Sequence, residues 1–360
     1  MPKRILVFNW WDIKNPKAGG AEVHLNEIFS RLAKKHDITL VCSNFPKAKK
    51  SEIINKIKIK RIAPWWLINL SSFFWYFKHK NDFDIVIDYT NKIPYLTPLY
   101  VKKPMIVLVL HLFGDIWQKE LGWPGYILTK IEKCLFLIYK KRWMIALSES
   151  TKEELVNIGI DQGKIEVINP GVNHGPLEYK KANFPLVIYV GRLKKYKRID
   201  LILKVLPEVV KLVPKLCFVI IGEGSDRKRL QKIIKDKKLT SWVRILGFIS
   251  KKEKNKWFQR TWINLQPSIK EGWGLTVIEA ASYKTPTIAS SVPGLKEVVW
   301  DKKTGWLFGE NDIEHLETLL IEVLINKAKR EKAAAASFKF AQKFSWDKTA
   351  KEFEEIIDKI

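Results

Sequence analysis

The feature that most constrains this chain is a repeated alternation. Short runs rich in β-branched and aromatic residues are separated by segments carrying apolar side chains every three or four positions. Strand-like runs occur at Arg4 to Phe8, Ile38 to Cys42, Asp84 to Asp88, Met105 to Leu110 and Trp143 to Leu147. Between them, Leu25, Ile28, Phe29 and Leu32 keep the i, i+3, i+4, i+7 spacing of a helix face. Ile127, Leu128, Ile131, Cys134, Leu135 and Ile138 keep it again further on. Alternating strand and helix implies a parallel sheet with helices on both faces.

The turn-rich stretch from Asn169 to Pro176 interrupts the pattern, which restarts with runs at Leu186 to Val190, Leu216 to Ile221, Val243 to Leu246, Trp262 to Leu265 and Pro286 to Ala289. With 360 residues and 46% hydrophobic content the chain exceeds one compact core. It is therefore read as α/β throughout, with two Rossmann-like doubly wound domains, 1–173 and 174–344, facing an interdomain cleft. Residues 345–360, with Trp346, Ala350, Phe353, Ile356 and Ile357 on one side, predict a terminal amphipathic helix.

Lys and Arg number 64 against 38 Asp and Glu, a net charge of +26 that favours anionic partners. The excess is carried by both halves, and no nucleic-acid motif interleaves it, which argues against a nucleic-acid partner. Cys42, Cys134 and Cys217 are scattered and form neither a disulfide framework nor a zinc pattern, as in a reducing cytoplasm. The N-terminus reads as a first strand rather than a signal peptide. The uncharged stretch Ile62 to Phe77 is broken by Pro64 and Asn69 and falls short of the about 20 apolar residues of a spanning helix. Its aromatics and the bases that follow suit either an anionic membrane interface or a core helix.

Several segments carry chemistry. Glu271 and Glu279 flank Gly272, Gly274 and a short apolar run, a loop entering a helix whose first amides would face an anion. Gly191, Arg192 and Lys197 sit between a strand and a helix. Arg can fork two phosphate oxygens and Lys adds a point charge, although a solvated basic loop has the same composition. Gly19 and Gly20 precede the first helix, where close approach to a phosphate or a plain turn would both require glycine. The spacing is not G-x-G-x-x-G, which disfavours a dinucleotide cofactor. His111 ends a strand, at the crevice edge if it meets a ligand. Asp82 and Asp84 resemble a metal-binding D-x-D triplet, but Asp84 opens a buried strand, so a turn is the expected role.

Taken in order, these segments resemble the family-4 retaining glycosyltransferases of the GT-B fold over nearly the whole chain. The Gly19 to Glu22 loop, His111, the Gly191 to Lys197 loop, Gly222-Glu223-Gly224 and Glu271 to Glu279 are collinear with the family, as are Pro293 to Val298 and Thr304 to Leu307. The resemblance implies that Arg192 and Lys197 hold a donor diphosphate, Glu271 contacts sugar hydroxyls and Glu279 the ribose. It implies that Gly20 approaches the phosphate, that His111 lines the sugar pocket and that the amides of Gly274 and Leu275 fix the donor. It also sends the terminal helix back to the N-terminal domain. Leu112 stands where many relatives have Asp, and Lys284 where Gly is common.

The expected activity is transfer of a hexosyl group from a UDP-, GDP- or ADP-linked sugar to an acceptor hydroxyl with retention. No metal or other cofactor is expected, and the acceptor implied is lipid-linked or membrane-associated, at the cytoplasmic face. A sugar-nucleotide epimerase, a phosphorylase-like enzyme and a basic phosphate- or nucleic-acid-binding protein are the competing readings.

Overall fold

The computed structural model of the protein describes residues 1–90, 93–175 and 178–360; Pro176, which closes the turn-rich stretch, lies outside them. The chain divides into two compact units, Met1–Gly171 with Trp346–Ile360, and Val172–Ser345.

The first unit runs β1 (Arg4–Phe8), α1 (Gly20–Leu32), β2 (Asp37–Ser43), β3 (Ser51–Ile54), β4 (Ile57–Ala63), α2 (Ile68–His79), β5 (Ile85–Thr90), β6 (Met105–Val109), α3 (Asp115–Leu121), α4 (Trp123–Leu137), β7 (Trp143–Ala146), α5 (Glu149–Asn157) and β8 (Ile165–Val167). Its sheet has the order β3-β4-β2-β1-β5-β6-β7-β8, parallel except for the β3–β4 hairpin. The central strands are buried on both faces, which explains their unbroken apolar runs. β4 instead alternates, burying Ile57, Ile59, Arg61 and Ala63 between more exposed residues. The hairpin turn uses Asn55 and Lys56 at φ 50° and 69°, without a glycine.

The second unit runs β9 (Leu186–Val190), α6 (Ile199–Leu212), β10 (Cys217–Ile221), α7 (Arg227–Asp236), β11 (Val243–Gly247), α8 (Lys251–Arg260), β12 (Ile263–Gln266), α9 (Leu275–Ala281), β13 (Thr287–Ser290), α10 (Leu295–Val298), β14 (Gly305–Phe308), α11 (Ile313–Ile325) and α12 (Lys327–Ala341). Its sheet is parallel, in the order β11-β10-β9-β12-β13-β14. The last helix, α13 (Trp346–Lys359), returns to the first unit and packs on α1, with Phe353 edge-on to Phe29 at 5.5 Å.

One helix departs from its sequence reading. The apolar spacing in α4 predicts that Ile127, Ile131 and Cys134 face the core, yet all three are exposed. The buried side is Gly125, Thr129, Glu132 and Phe136. The polar pair is turned inward because both side chains hydrogen-bond to the chain segment after β6.

Candidate active site

In the second unit the strand order runs β9-β10-β11 in one direction and β12-β13-β14 in the other. Loops leaving the C-terminal ends of β9 and β12 meet at this reversal, the place where ligands bind in sheets of this kind. Arg192 and Lys197 occupy the loop after β9, and Glu271 the loop after β12. Lys197 Nζ lies 2.5 Å from Glu271 Oε1, and Ser268 Oγ donates to the same oxygen at 2.7 Å. The Ile269 N–H donates to the Tyr196 carbonyl at 2.9 Å and fastens the two loops together.

Only 12% of the Lys197 side chain and 18% of the Glu271 side chain are exposed, so the pair is largely withdrawn from water. Burial opposes the Lys197 charge, but the Glu271 carboxylate outweighs it and holds the ammonium above its ordinary pKa. Arg192 is near enough for its charge to work against that of Lys197. The arrangement is a half-neutralised cationic cluster that can accept further negative charge. Glu279, on α9, has its own lysine: Lys254 Nζ on α8 lies 2.6 Å from Glu279 Oε1.

The glycines of these loops have packing reasons of their own. A Cβ on Gly222, at φ 139°, would sit 1.9 Å from the Gly191 carbonyl oxygen, and one on Gly224 would sit 2.0 Å from that of Leu193. The loops after β9 and β10 are thus pressed backbone to backbone, and the Leu193 N–H donates to the Glu223 carbonyl at 2.9 Å. Gly274 adopts φ 89° as it turns the Glu271-Gly272 loop into α9, which begins at Leu275.

In the first unit the order reverses between β1 and β5. The loop from Asn9 to Gly19 leaves β1, and its last amide, that of Gly19, donates to Glu22 Oε2 at 2.7 Å before α1 begins at Gly20. A Cβ on Gly20 would meet nothing within 4 Å, so the space beside it is open. Within the loop, Asp12 accepts from Arg61 Nε at 2.7 Å and Nη2 at 2.9 Å, with both side chains fully buried. The remaining Arg61 nitrogen donates to Glu52 and to the Lys49 carbonyl.

His111 follows β6, half-buried, with its ring 5.2 Å from that of Phe113, which stacks on Trp117 at 4.8 Å. The Phe113 and Gly114 amides each donate to a different Glu132 oxygen at 2.8 Å, and Thr129 Oγ1 donates to the Gly114 carbonyl at 2.9 Å. At the opposite end of the sheet Asp84, just before β5, takes the Arg4 guanidinium and backbone amide. The Arg4 hydrogen bonds hold its carboxyl below the usual range. Among the described residues, no three His, Cys, Asp or Glu side chains gather where they could hold a metal ion.

Residues 18–175 match the model of Glycosyltransferase Family 4, and residues 178–340 that of glycosyl transferases group 1. The chain belongs to the family-4 glycosyltransferases. An uncharacterized glycosyltransferase of Methanocaldococcus jannaschii is 25% identical over 99% of this chain and 98% of its own length. Among solved structures, the sucrose-phosphate synthase of Thermosynechococcus elongatus superposes with a TM-score of 0.85 at 18% identity, covering 99% of this chain and 98% of that one. HepE from Anabaena, solved with UDP and glucose, superposes at 0.79 and 16% identity over 99% and 100% of the two chains. The fold is GT-B, two Rossmann-like α/β units.

Within this glycosyltransferase, Arg192, Lys197 and Glu271 come together in the second unit, with Gly191, Gly222, Gly224, Gly272, Gly274, Leu275 and Glu279 in or beside the same loops. Gly19, Gly20 and His111 belong to the first unit. Sequence reading passed over Ser268 and Lys254, which hold the two glutamates, and Asp12, Arg61, Thr129 and Glu132, which hold the loops of the first unit. Glu132 had one signal: it is the sole carboxylate between Trp123 and Arg142. Leu112, where relatives often carry Asp, is buried. Lys284 adopts φ 50°, a left-handed conformation that glycine takes without strain.

Proposed function

We propose that this glycosyltransferase moves a hexosyl group from a nucleoside diphosphate sugar to an acceptor hydroxyl with retention and without a metal. The acceptor is a lipid-linked or membrane-associated glycan at the cytoplasmic face, matched in charge by the +26 excess of the chain. The observation that carries this reading is the Lys197–Glu271 pair beside Arg192 at the β9/β12 reversal. As the anomeric C–O bond to the diphosphate breaks, negative charge grows on the phosphate oxygens, and preorganised cations there lower the barrier most. Arg192 and Lys197 supply the positive charge that a metal supplies elsewhere.

Glu271 is already engaged by Lys197 and Ser268, which suits it to orienting the cation and the sugar hydroxyls rather than to attacking carbon. The acceptor oxygen then approaches from the leaving-group side, forms the new C–O bond and passes its proton to a phosphate oxygen. Glu279 takes the ribose. HepE was solved with UDP, so UDP is the first donor nucleotide to test, ahead of GDP and ADP.

The test is a thermal-shift panel of UDP, GDP, ADP and their sugars at fixed salt. A nucleotide present at a hundred times its Kd stabilises by about 2.7 kcal/mol. The expected result is a clear shift with one diphosphate and its sugar; no shift with any of them would overturn the reading. Full transfer in the presence of a chelator supports metal independence, and loss reversed by magnesium would refute it.

A further inference from the structure

Two helices of the first unit lie on the same face of its sheet: Ile68 and Tyr76 of α2 and Phe136 of α4 share one core with Leu6, Phe8, Val86 and Val107. Both also turn apolar surface away from that core. On α2, Leu70, Phe74 and Phe77 follow i, i+4, i+7 spacing and are exposed, preceded by the exposed Trp65 and Trp66, while Ile68, Ser72 and Tyr76 form the buried side. On α4 the inversion is stronger. Trp123 is 79% exposed, and Tyr126, Ile127 and Ile131 continue its stripe, because Thr129 and Glu132 occupy the inner face.

Lysines dominate the charge on these stripes, with the exposed carboxylates Asp82 and Glu120 at their borders. No carboxylate occurs from Pro64 to Lys80, and α4 carries only Glu132, which is buried against the amides of Phe113 and Gly114. Lys78 and Lys80 follow the α2 stripe, and Lys130 and Lys133 stand exposed on α4. Lys130 Nζ lies 4.8 Å from the centre of the Tyr126 ring. Exposed rings and aliphatic side chains bordered by lysines match a surface that is apolar beneath and anionic on top.

We propose that α2 and α4 seat the first unit on an anionic lipid bilayer, with the tryptophan and phenylalanine rings at headgroup depth and the lysines against lipid phosphates. No described helix is long and apolar enough to cross a membrane, so the contact is peripheral. A second copy of the chain fits this face poorly, because its own lysines would meet lysines. A lipid surface supplies both the hydrocarbon and the negative charge, each basic residue near it adding attraction.

The test is flotation of the full chain with phosphatidylcholine vesicles, with and without phosphatidylglycerol, in the absence of any sugar nucleotide. The protein is expected to float with the anionic vesicles, less as salt is raised, and to stay behind with the neutral ones. Lys130→Glu with Lys133→Glu should lower the bound-to-free ratio about tenfold or more. Phe74→Ser with Ile127→Ser should lower it comparably, and both pairs should leave the melting temperature within a few degrees of the parent. Failure of the parent to float, or floating of both variant pairs as well as the parent, overturns the proposal. A parent that stays behind and is dimeric by light scattering, with monomeric variants, assigns the face to a second copy instead. Because no nucleotide is present, none of these outcomes bears on the transfer reaction.

Discussion

The two units use one topology to different ends. In the second unit, side chains at the strand reversal contact one another directly: Lys197, Glu271 and Ser268 form a charged cluster whose members are themselves the candidate chemistry. In the first unit, the corresponding loops offer a backbone edge at Gly19 and Gly20 and one ring at His111, while the charged residues that hold them are buried. Asp12 with Arg61, and Glu132 with two amides, shape loops from inside. One unit places charge where a ligand would meet it, and the other uses buried charge to fix the form of a surface. Damage to the charged cluster of the second unit should appear in turnover, and damage to the buried charges of the first unit in stability.

The largest effect should follow Arg61→Ala, which leaves Asp12 as an uncompensated buried charge. Breaking such a pair costs about 3–5 kcal/mol, and a urea melt should lose that much. A loss below about 1 kcal/mol would place the pair in contact with water and break the contrast. Lys197→Ala should lower kcat/KM for sugar transfer at least about a hundredfold, or about 2.7 kcal/mol, and should cost less in the melt than Arg61→Ala because Glu271 keeps the Ser268 hydroxyl as a donor. Arg192→Ala should behave alike, and near-parental turnover in both would remove the chemistry from the second unit.

Glu132→Gln should fall between these limits. The amide presents one acceptor and one donor to two backbone N–H groups, so one of them loses its partner at about 1–3 kcal/mol. A thermal melt should register that loss, and an accompanying drop in turnover would show that the His111 loop needs the clamp.

The smallest effect concerns acid. His24 in α1 is buried against Tyr89, 2.9 Å from its hydroxyl, and burial lowers its pKa from 6.5 to about 3. The unfolded chain binds that proton below 6.5 and the folded protein only near 3, so stability is lost as pH falls through this window. The slope is about 1.4 kcal/mol per pH unit. His24→Gln should flatten the dependence of chemical-denaturation stability on pH between 6 and 4 by about that amount, and an unchanged slope would show that His24 protonates in place.

The sequence was most legible where burial makes a run uniform. β6 and β9 throughout, and β1 after Arg4, are apolar because both sheet faces are covered, and their limits follow within a residue or so. β3 and β4 were hidden because β3 is only four residues long, β4 is interleaved with lysine and their turn lacks glycine. The register from Ser51 with Lys60 to Ile54 with Ile57 reveals it. α4 had visible periodicity, but periodicity does not say which face is buried. That choice was made by Glu132 and the two amides it serves.

The candidate site divides in the same way. Lys197 and Glu271 each stood out in a loop, yet they are 74 positions apart and their pairing exists only once β9 and β12 are neighbours. Asp12 and Arg61, 49 positions apart, gave no local signal, since each looks like an ordinary polar residue until the chain surrounds it.

α13 has a consequence for the order in which this chain is made. It covers α1 from the far end of the sequence, with Trp346 edge-on to His24 and Arg31 paired with Asp347. The unit synthesised first must therefore wait for residues 346–359 to leave the ribosome, while the second unit is one uninterrupted stretch. During that interval Phe29 lacks the cover that Phe353 gives it.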